Sequence, residues 1–348
     1  MPVATRITVR RHAEVRAVLL DPRFGVPPVP RTAATSGIAW LRAHVSRFSA
    51  GADHERRRAL AIDELVRIGT GTLRQRAAQR TAAVLAATGV PVDLMATVAR
   101  TVPVGVLAEA LGVTDSDQSG SARLAPRDDP DQSADKSGSA RLAPRDDPDQ
   151  SVTADVALVS GAYFPGSDAG PLVDAAVARL VASFGGVADE ATAARIGLLV
   201  QACDATAGLI GNTVLALSRH RYPDPTDAVV AETLRYDPPV RAMSRVALAP
   251  AWIDGRQVPA GTAVRLDIAA ANRDPDVFRD PDHFDPARPE RARHLTFGEG
   301  LRPCPGSGHA FALAVGVVDA VRNHQLIEAG VDLDPSANLR VPDRVVIT

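Results

Sequence analysis

The chain has 348 residues, of which 45% are hydrophobic and 23% charged, with a formal net charge of −2 at pH 7. This hydrophobic content and low net charge exclude a disordered chain, and the balanced charge argues against a general nucleic-acid binder, which needs a basic face for phosphates. Two cysteines, Cys203 and Cys304, are too few for a disulfide framework, which favours a reducing compartment. We therefore expect a cytoplasmic protein with no nucleic-acid partner.

No segment is expected to target the protein to a membrane. The N-terminus is basic but lacks the apolar core of a signal peptide. The longest apolar stretch, 196–217, is interrupted by Gln201 and Asp204, and a charge is costly in lipid. This stretch is predicted to be a buried core helix.

The periodicity of apolar residues predicts a mostly helical first half. A short strand through Ile7 and Val9 and then a helix are expected within 5–24, before prolines break the chain. Three helices are predicted next, at about 54–70, 72–88 and 93–112.

A tandem duplication follows, in which 117–134 is repeated almost identically as 135–152. Two copies without apolar periodicity cannot stack into a core, so we expect a solvated surface insert. A binding loop is the functional alternative.

Helices are predicted again beyond the insert, followed by a few short strands. The helical region is 153–217, with the apolar helix at 194–217, and a further helix is expected at 227–236. Strands are predicted at 246–248, 251–253 and 263–268. A coil at 272–293 is expected next, and a glycine-rich loop at 297–306 then leads into a last helix at 308–323. The fold class is mostly α with a small β portion. No linker divides the chain, so 1–348 is expected to form one domain carrying the insert at 117–152.

The glycine-rich loop, FGEGLRPCPG at 297–306, holds Cys304 just before the last predicted helix. Glycines permit positive φ angles and a close backbone approach, as a flat cofactor packed on the loop would require. Zinc is a poor alternative, because a structural zinc site needs several Cys or His ligands and Cys304 has no CxxC partner. On residue type alone, an inert packing cysteine remains open.

This loop resembles the haem-ligand loop FGxGxRxCxG of the cytochrome P450 family of haem-thiolate monooxygenases at each fixed position. Other stretches resemble that family in the same order along the chain. His54 to Arg58 resembles HxxxR, Glu232 to Arg235 resembles ExxR, and 284–288 resembles the coil that supplies Arg288 to a buried Glu–Arg–Arg triad. The resemblance implies a cytochrome P450-like fold. The N-terminal helix and the lid helices are expected to be reduced, because the chain is short and has little room at 153–193.

The resemblance also implies a cofactor, haem b, with the Cys304 thiolate as the iron ligand whose electron donation favours O–O cleavage. Burying the two haem propionates unpaired would be costly, and charge-assisted hydrogen bonds offset that cost. The implied haem-binding residues are His54, Arg58, Arg245, Phe297, Arg302 and Cys304. Arg56 and Arg57 are expected to be solvated surface charges.

Pro305, directly after the implied ligand, lacks an N–H group. A backbone donor to the thiolate sulfur is therefore missing, which predicts a more electron-rich sulfur and a lower reduction potential. The alternative is that the proline only stiffens the loop.

The predicted distal helix departs from the family, whose stretch resembles Ala-Gly-x-Asp/Glu-Thr-Thr. Here Ala205 stands in place of the first Thr, while Asp204 keeps the acid and Thr206 lies one residue further on. Asp204 and Thr206 are the candidate catalytic residues, and Cys203 is expected to pack. A substrate hydroxyl or water could complete the proton relay, peroxide could be the oxidant, or the chemistry could be coupling or nitrene-type transfer.

Two hypotheses for the function follow. The first is a bacterial haem-thiolate monooxygenase that modifies a small-molecule specialised metabolite. It would take electrons from a ferredoxin or another reductase docking on an arginine-rich face near Arg56, Arg57, Arg291 and Arg293. The second is a non-catalytic relative that serves as auxiliary subunit of another biosynthetic enzyme, such as a glycosyltransferase. Haem content distinguishes them.

Overall fold

A computed structural model describes residues 6–27, 29, 34–113, 151–164, 166, 170–219, 223–330 and 338–348. All but the last two residues of the duplicated segment lie outside these ranges, so the expected surface insert and its alternative both stay predictions.

Helices dominate the described chain. They are α1 (His12–Leu20), α2 (Gly37–His44), α3 (Gly51–Val66), α4 (Thr70–Thr88), α5 (Val102–Ala110), α6 (Val152–Gly161), α7 (Pro171–Ser183), α8 (Glu190–Arg219), α9 (Thr226–Tyr236), α10 (Ile268–Ala271) and α11 (Ser307–Val321). Two 3₁₀ segments, Ser46–Phe48 and Pro289–Arg293, and a π-helical turn, Met95–Ala99, complete the helical structure of these ranges.

Within the described residues the strands form three small sheets. They are β1 (Arg6–Val9), β2 (Phe24–Gly25), β3 (Val92–Asp93), β4 (Ala242–Ala247), β5 (Ala251–Ile253), β6 (Arg256–Val258), β7 (Ala263–Asp267), β8 (Leu326–Gly330) and β9 (Arg344–Ile347). The largest sheet has the order β1-β7-β4-β2, with β1 parallel to β7 and Ile7 opposite Val264. The others are β3-β9-β8 and β5-β6. The predicted class, mostly α with a small β portion, is confirmed.

Two of the sequence predictions are wrong in detail. The helix expected at 93–112 is divided, because β3 pairs with β9 before the π-helical turn, and α5 begins only at Val102 with Pro103 in its first turn. Pro103 lacks the N–H that a continuous helix would use at this point, so the helix restarts there. Helix α2 was not predicted, because eight residues give too short a periodic pattern.

Helix α8 is the centre of the main core. It packs against α2, α3, α5, α6, α7, α9 and α11. By length and composition it could cross a membrane, yet 78% of its apolar window is buried inside the fold. The expectation of a buried core helix is confirmed. A second apolar cluster lies under the largest sheet and includes Val15, Leu19 and Leu266.

Helices α4 and α11 pack in backbone contact. A Cβ added at Gly316 would lie 2.2 Å from the carbonyl oxygen of Arg74, so only glycine fits at that crossing. The Arg74 side chain then bonds Asp319 of α11 at 2.8 Å and Asp227 of α9 at 2.9 Å. This contact ties α11, which begins directly after the Cys304 loop, to the helical core.

The triad predicted from the sequence is present and fully buried. Arg235 donates three hydrogen bonds to Glu232, the shortest of 2.6 Å, and the Arg288 Nε donates to the same carboxylate at 3.4 Å. Both guanidinium groups also donate to backbone carbonyls of the coil at 272–283. The triad therefore anchors the irregular coil that leads into the Cys304 loop.

Replacing Glu232 by Gln is expected to destabilise the fold by about 3–5 kcal/mol, because two buried guanidinium groups lose their counter-charge. Urea unfolding of the purified variant measures this loss. The control is Asp282→Ala, which breaks an exposed ion pair with Arg273 and should cost less than about 1 kcal/mol. Equal losses for the two variants would contradict a structural role for the triad.

Candidate functional site

The Cys304 loop is a tight turn held by its own backbone. Gly298 and Gly300 have φ angles of +70° and +74°, and the Cys304 N–H donates to the Phe297 carbonyl at 2.7 Å. The predicted positive φ angles are confirmed. At Gly300 the group that closely approaches the loop backbone belongs to the protein itself. A Cβ added there would lie 2.6 Å from the carbonyl oxygen of Leu19 in α1. The loop is thus seated on α1 and presents Cys304 in a fixed direction.

The surroundings of the Cys304 thiol combine exposure with the effect of burial. Its side chain is exposed, yet burial is the largest influence on the thiol and raises its pKa. These two facts agree if the sulfur lines an interior void. A hydrogen bond from the Gly306 backbone and the charges of Arg58 and Arg47 act in the opposite direction and favour the thiolate.

Four arginines lie beside this thiol: Arg47, Arg58, Arg245 and Arg302. Arg245 on β4 is buried, and its pKa is lowered to about 10 by that burial and by the positive charges of Arg47 and Arg302. Burial also lowers the pKa of Arg302, again with Arg47 and then Arg58 adding to the effect. The four guanidinium groups are therefore near enough to repel one another.

No salt bridge to a carboxylate is made by any of these four arginines within the described ranges. Arg245 and Arg302 only donate to backbone carbonyls, of Ser244 at 3.0 Å and Ser49 at 2.7 Å. Clustered, partly buried positive charges without a counter-charge are costly. The arrangement fits a ligand that brings carboxylates of its own, as haem does with its two propionates.

His54 on α3 adds a polar atom without a partner. Its Nδ1 hydrogen-bonds the Ser46 carbonyl at 3.0 Å, while its Nε2 is buried and makes no hydrogen bond. Burial, Arg302 and Arg58 lower the His54 pKa, although the Ser46 hydrogen bond opposes them. Nδ1 donates its hydrogen to the Ser46 carbonyl, so a carboxylate placed at Nε2 would satisfy this atom when His54 is protonated. The predicted propionate-binding roles of His54, Arg58, Arg245 and Arg302 thus have a fitting environment and stay predictions, as does the haem contact of Phe297.

The two candidate catalytic residues of α8 are held differently from one another. The Asp204 carboxylate accepts a hydrogen bond of 2.9 Å from the Ser160 hydroxyl on α6. The Thr206 side chain is 1% exposed, and its hydroxyl is buried without a partner. Cys203 is also 1% exposed, and burial raises its pKa to about 12, which confirms its packing role. The catalytic roles of Asp204 and Thr206 stay predictions.

Gln201 and Arg47 were not identified from the sequence. Gln201 is exposed on a helix whose neighbouring residues are mostly buried, and its amide donates to the Gly197 carbonyl at 2.9 Å. The sequence held a clue here, because Gln201 occupies the position of the first Ala in the family stretch. Arg47 belongs to no motif, so nothing in the sequence indicated that it would join the arginines around Cys304.

The expectation for Arg57 is wrong. Its side chain is only 12% exposed and bonds Glu190 of α8 at 2.8 Å, with a second bond to the Ser49 hydroxyl. Arg56 remains exposed but pairs with the same Glu190 and with Asp53. These hydrogen bonds lower the Glu190 pKa to about 2, against the opposing effect of burial. Arg56 and Arg57 therefore join α3 to α8. Because their charges are largely neutralised, they would attract a docking partner only weakly.

A metal site made by protein side chains alone is not found in the described chain, where no three His, Cys, Asp or Glu residues cluster suitably. A single thiol beside unneutralised arginines instead suits an iron that arrives within a carboxylate-bearing macrocycle.

Residues 225–313 match the sequence profile described as Cytochrome P450. This stretch, about a quarter of the chain, is similar to the cytochrome P450 family. Over 109 residues it is 46% identical to Protein DesVIII of Streptomyces venezuelae, covering 28% of this chain and 27% of that protein. Over 130 residues it is 38% identical to the Biotin biosynthesis cytochrome P450 of Bacillus subtilis (strain 168), covering 35% and 33%. The matches thus span about a third or less of these relatives.

The fold of the chain resembles solved structures along nearly its whole length. P450BioI, in complex with an acyl carrier protein ligated to hexadec-9Z-enoic acid, has a TM-score of 0.76 and 22% identity, covering 98% of this chain and 91% of that one. P450 RauA, complexed with a biosynthetic intermediate of aurachin RE, has a TM-score of 0.73 and 20% identity, covering 98% and 90%. The predicted cytochrome P450 fold is confirmed.

His294, at the start of the Cys304 segment, makes the stability of the fold pH-dependent. Burial lowers its pKa to about 4, and its Nδ1 accepts a hydrogen bond from the Thr296 N–H at 3.2 Å. The unfolded chain binds a proton near pH 6.5 and the folded chain only near pH 4, so this contribution to stability is present above about pH 6.5 and is lost as the pH falls.

We expect the free energy of unfolding to fall more steeply between pH 6.5 and 4.5 in the wild type than in His294→Gln. The difference in slope should approach about 1.4 kcal/mol per pH unit at most, the value for one proton. Urea unfolding at several pH values measures it, with the exposed His283→Gln as control. Parallel curves for the wild type and His294→Gln would show that His294 does not carry this dependence.

Proposed function

We propose that this protein is a haem-thiolate monooxygenase of the bacterial cytoplasm that modifies a small-molecule specialised metabolite. One observation carries the proposal: the exposed Cys304 thiol lies beside four arginines without carboxylate partners in the described chain. A haem would supply both missing components, an iron for the thiol and carboxylates for the guanidinium groups. Bound haem b supplies the activation of oxygen by which this family oxidises substrates.

The residues of the chain have separate tasks in this proposal. Cys304 binds the iron, Phe297 packs on the macrocycle, and the propionates are held by His54, Arg58, Arg245 and Arg302. The backbone of Gly306 hydrogen-bonds the Cys304 sulfur and stabilises its charge. The Glu232 triad keeps the coil before the loop in place, so that the thiol position does not depend on the cofactor alone.

The residues expected to deliver protons depart further from the family pattern than the rest of the site. Ala205 has no hydroxyl, the Thr206 hydroxyl is buried, and the Asp204 carboxylate is held by Ser160. In our proposal Asp204 moves protons through the Ser160 hydroxyl or a water, and a hydroxyl of the substrate takes the place of the missing Thr. Peroxide-driven oxidation, coupling and nitrene-type transfer are the alternatives if oxygen activation fails.

The reduced, carbon-monoxide-bound absorption spectrum tests the proposal. The wild type should show the strongly red-shifted Soret band of thiolate-ligated haem, and Cys304→Ala should lose it because the only proposed iron ligand is removed. Cys203→Ala is the matched control and should keep the band, since that buried thiol packs inside the core. A colourless wild type, or a band that survives in Cys304→Ala, would overturn the proposal.

Pro305 gives a second test that reports on the sulfur itself. Replacement of Pro305 by Leu adds a backbone N–H beside the Gly306 donor, which should stabilise negative charge on sulfur and raise the haem reduction potential. Spectroelectrochemical titration measures the potential in both proteins. An unchanged potential would mean that Pro305 only stiffens the loop.

Electrons would come from a ferredoxin or another reductase. Arg293 is exposed, while Arg291 is half-buried and donates to the Arg288 carbonyl at 2.6 Å. Because Arg56 and Arg57 are paired with Glu190, Arg293 is the arginine of the predicted docking face that remains best placed to attract an acidic partner.

The second candidate function, an auxiliary subunit of another biosynthetic enzyme such as a glycosyltransferase, is favoured by α8. Gln201, a long polar side chain, is exposed where the family has Ala, and Ala205 replaces the Thr. A protein that only stabilises a partner needs neither the small Ala nor the Thr that the family has at these two positions. A protein that purifies without haem, cannot be reconstituted with it, and raises the activity of a co-expressed glycosyltransferase would favour this candidate.

A further inference from the structure

Arg47 lies in the 3₁₀ segment Ser46–Phe48, shortly before α3, where its charge acts on Cys304, Arg245 and Arg302. The segment is fixed from two sides, because the Ser46 carbonyl bonds His54 at 3.0 Å and the Ser49 carbonyl accepts from Arg302 at 2.7 Å. The guanidinium carbon of Arg47 lies 5.5 Å from the ring centre of Phe164. Arg47 makes no hydrogen bond or salt bridge within the described ranges.

An unpartnered hydroxyl accompanies Arg47. Tyr163 is 2% exposed, and its hydroxyl is buried without a hydrogen bond, 3.8 Å from where a Cβ of Gly197 on α8 would lie. Its ring packs against Phe48 at 5.1 Å and Phe164 at 5.9 Å between ring centres. Burial raises the Tyr163 pKa, so the hydroxyl is protonated and able to donate, while the charges of Arg47 and Arg42 act in the opposite direction. A buried donor without an acceptor costs free energy, and an acceptor brought by a ligand would remove that cost.

The charge balance of the site also requires a further anion. The four arginines carry four positive charges, and the two propionates of the proposed haem neutralise two of them. The negative charge of the thiolate is offset by the ferric macrocycle. Two of the four arginine charges therefore stay unneutralised. Arg58, Arg245 and Arg302 lie on the motifs assigned to the propionates, and Arg47 is the arginine of the four that lies on none of them.

We propose that Arg47 and the Tyr163 hydroxyl form a recognition site for one carboxylate of the small-molecule substrate, with Phe48 and Phe164 contacting the apolar part next to it. This inference rests on the proposed function and adds the chemical class of the substrate. Arg47 supplies the counter-charge and Tyr163 a hydrogen bond, a combination that binds a carboxylate more strongly than a neutral oxygen.

A pair of probes with one carbon skeleton tests this proposal. The dissociation constants of 4-phenylbutyrate and 4-phenylbutanol are measured by calorimetry on the haem-loaded protein, or on the protein as purified if it takes no haem. The wild type should prefer the acid by about tenfold or more, as for a charge-assisted hydrogen bond of about 1.4 kcal/mol or more. Arg47→Met should lose the preference, Arg47→Lys should keep most of it, and Tyr163→Phe should reduce it.

Haem affinity is measured in parallel, because a haem propionate could use Arg47 instead. Arg47→Met should bind haem within about threefold of the wild type, and a tenfold loss would assign Arg47 to a propionate and overturn the proposal. Arg76→Met, which removes an exposed charge on α4, is the control. Equal binding of acid and alcohol by the wild type, or a preference that survives in Arg47→Met, would also overturn it. A wild type that binds no haem contradicts the proposed function alone.

Discussion

Positive charge without its counter-charge is the constraint around which this structure is organised. Four guanidinium groups surround one thiol, and burial makes the protonation of Arg245 and Arg302 less favourable than in water. Such an arrangement costs free energy in the isolated chain. That free energy is recovered when a ligand brings carboxylates to the arginines. The stability of the folded protein is therefore expected to be coupled to occupancy of the site.

The scaffold has to hold this arrangement without help from the site itself. The Glu232 triad does so on one side, because its two arginines donate to five backbone carbonyls of the coil at 272–283. The fully buried Glu232 carboxylate supplies their counter-charge. On the other side Glu190 pairs with Arg56 and Arg57 and joins α3 to α8. The same residue type thus has opposite roles: arginines with an acid stabilise the fold, and those without one form the site.

Local motifs made much of this site predictable from the sequence. The glycines, Cys304, and the i,i+3 pair of Glu232 and Arg235 are set by short-range backbone geometry, so their positions in the sequence indicated their positions in the fold. Arg47 could not be placed in the same way, because it belongs to no motif and its surroundings come from segments distant in sequence. Arg57 was predicted wrongly for a similar reason, since its partner Glu190 is 133 residues away.

Long-range pairing also explains where the fold prediction failed. Strand β3 has two residues and exists because β9, at the other end of the chain, pairs with it. No periodicity within 93–112 could reveal that the helix would be interrupted there. The apolar helix α8, by contrast, was recognisable because its environment is a property of the helix as a whole.

Haem binding itself measures the central claim most directly. Iron protoporphyrin IX and its dimethyl ester share iron and ring and differ in the charges of the propionates. If the arginines beside Cys304 are a propionate site, the purified protein should bind the free acid at least about a hundredfold more tightly than the ester, since two charge-assisted contacts are lost. Equal affinity for the two, or no binding of either, would contradict the assignment.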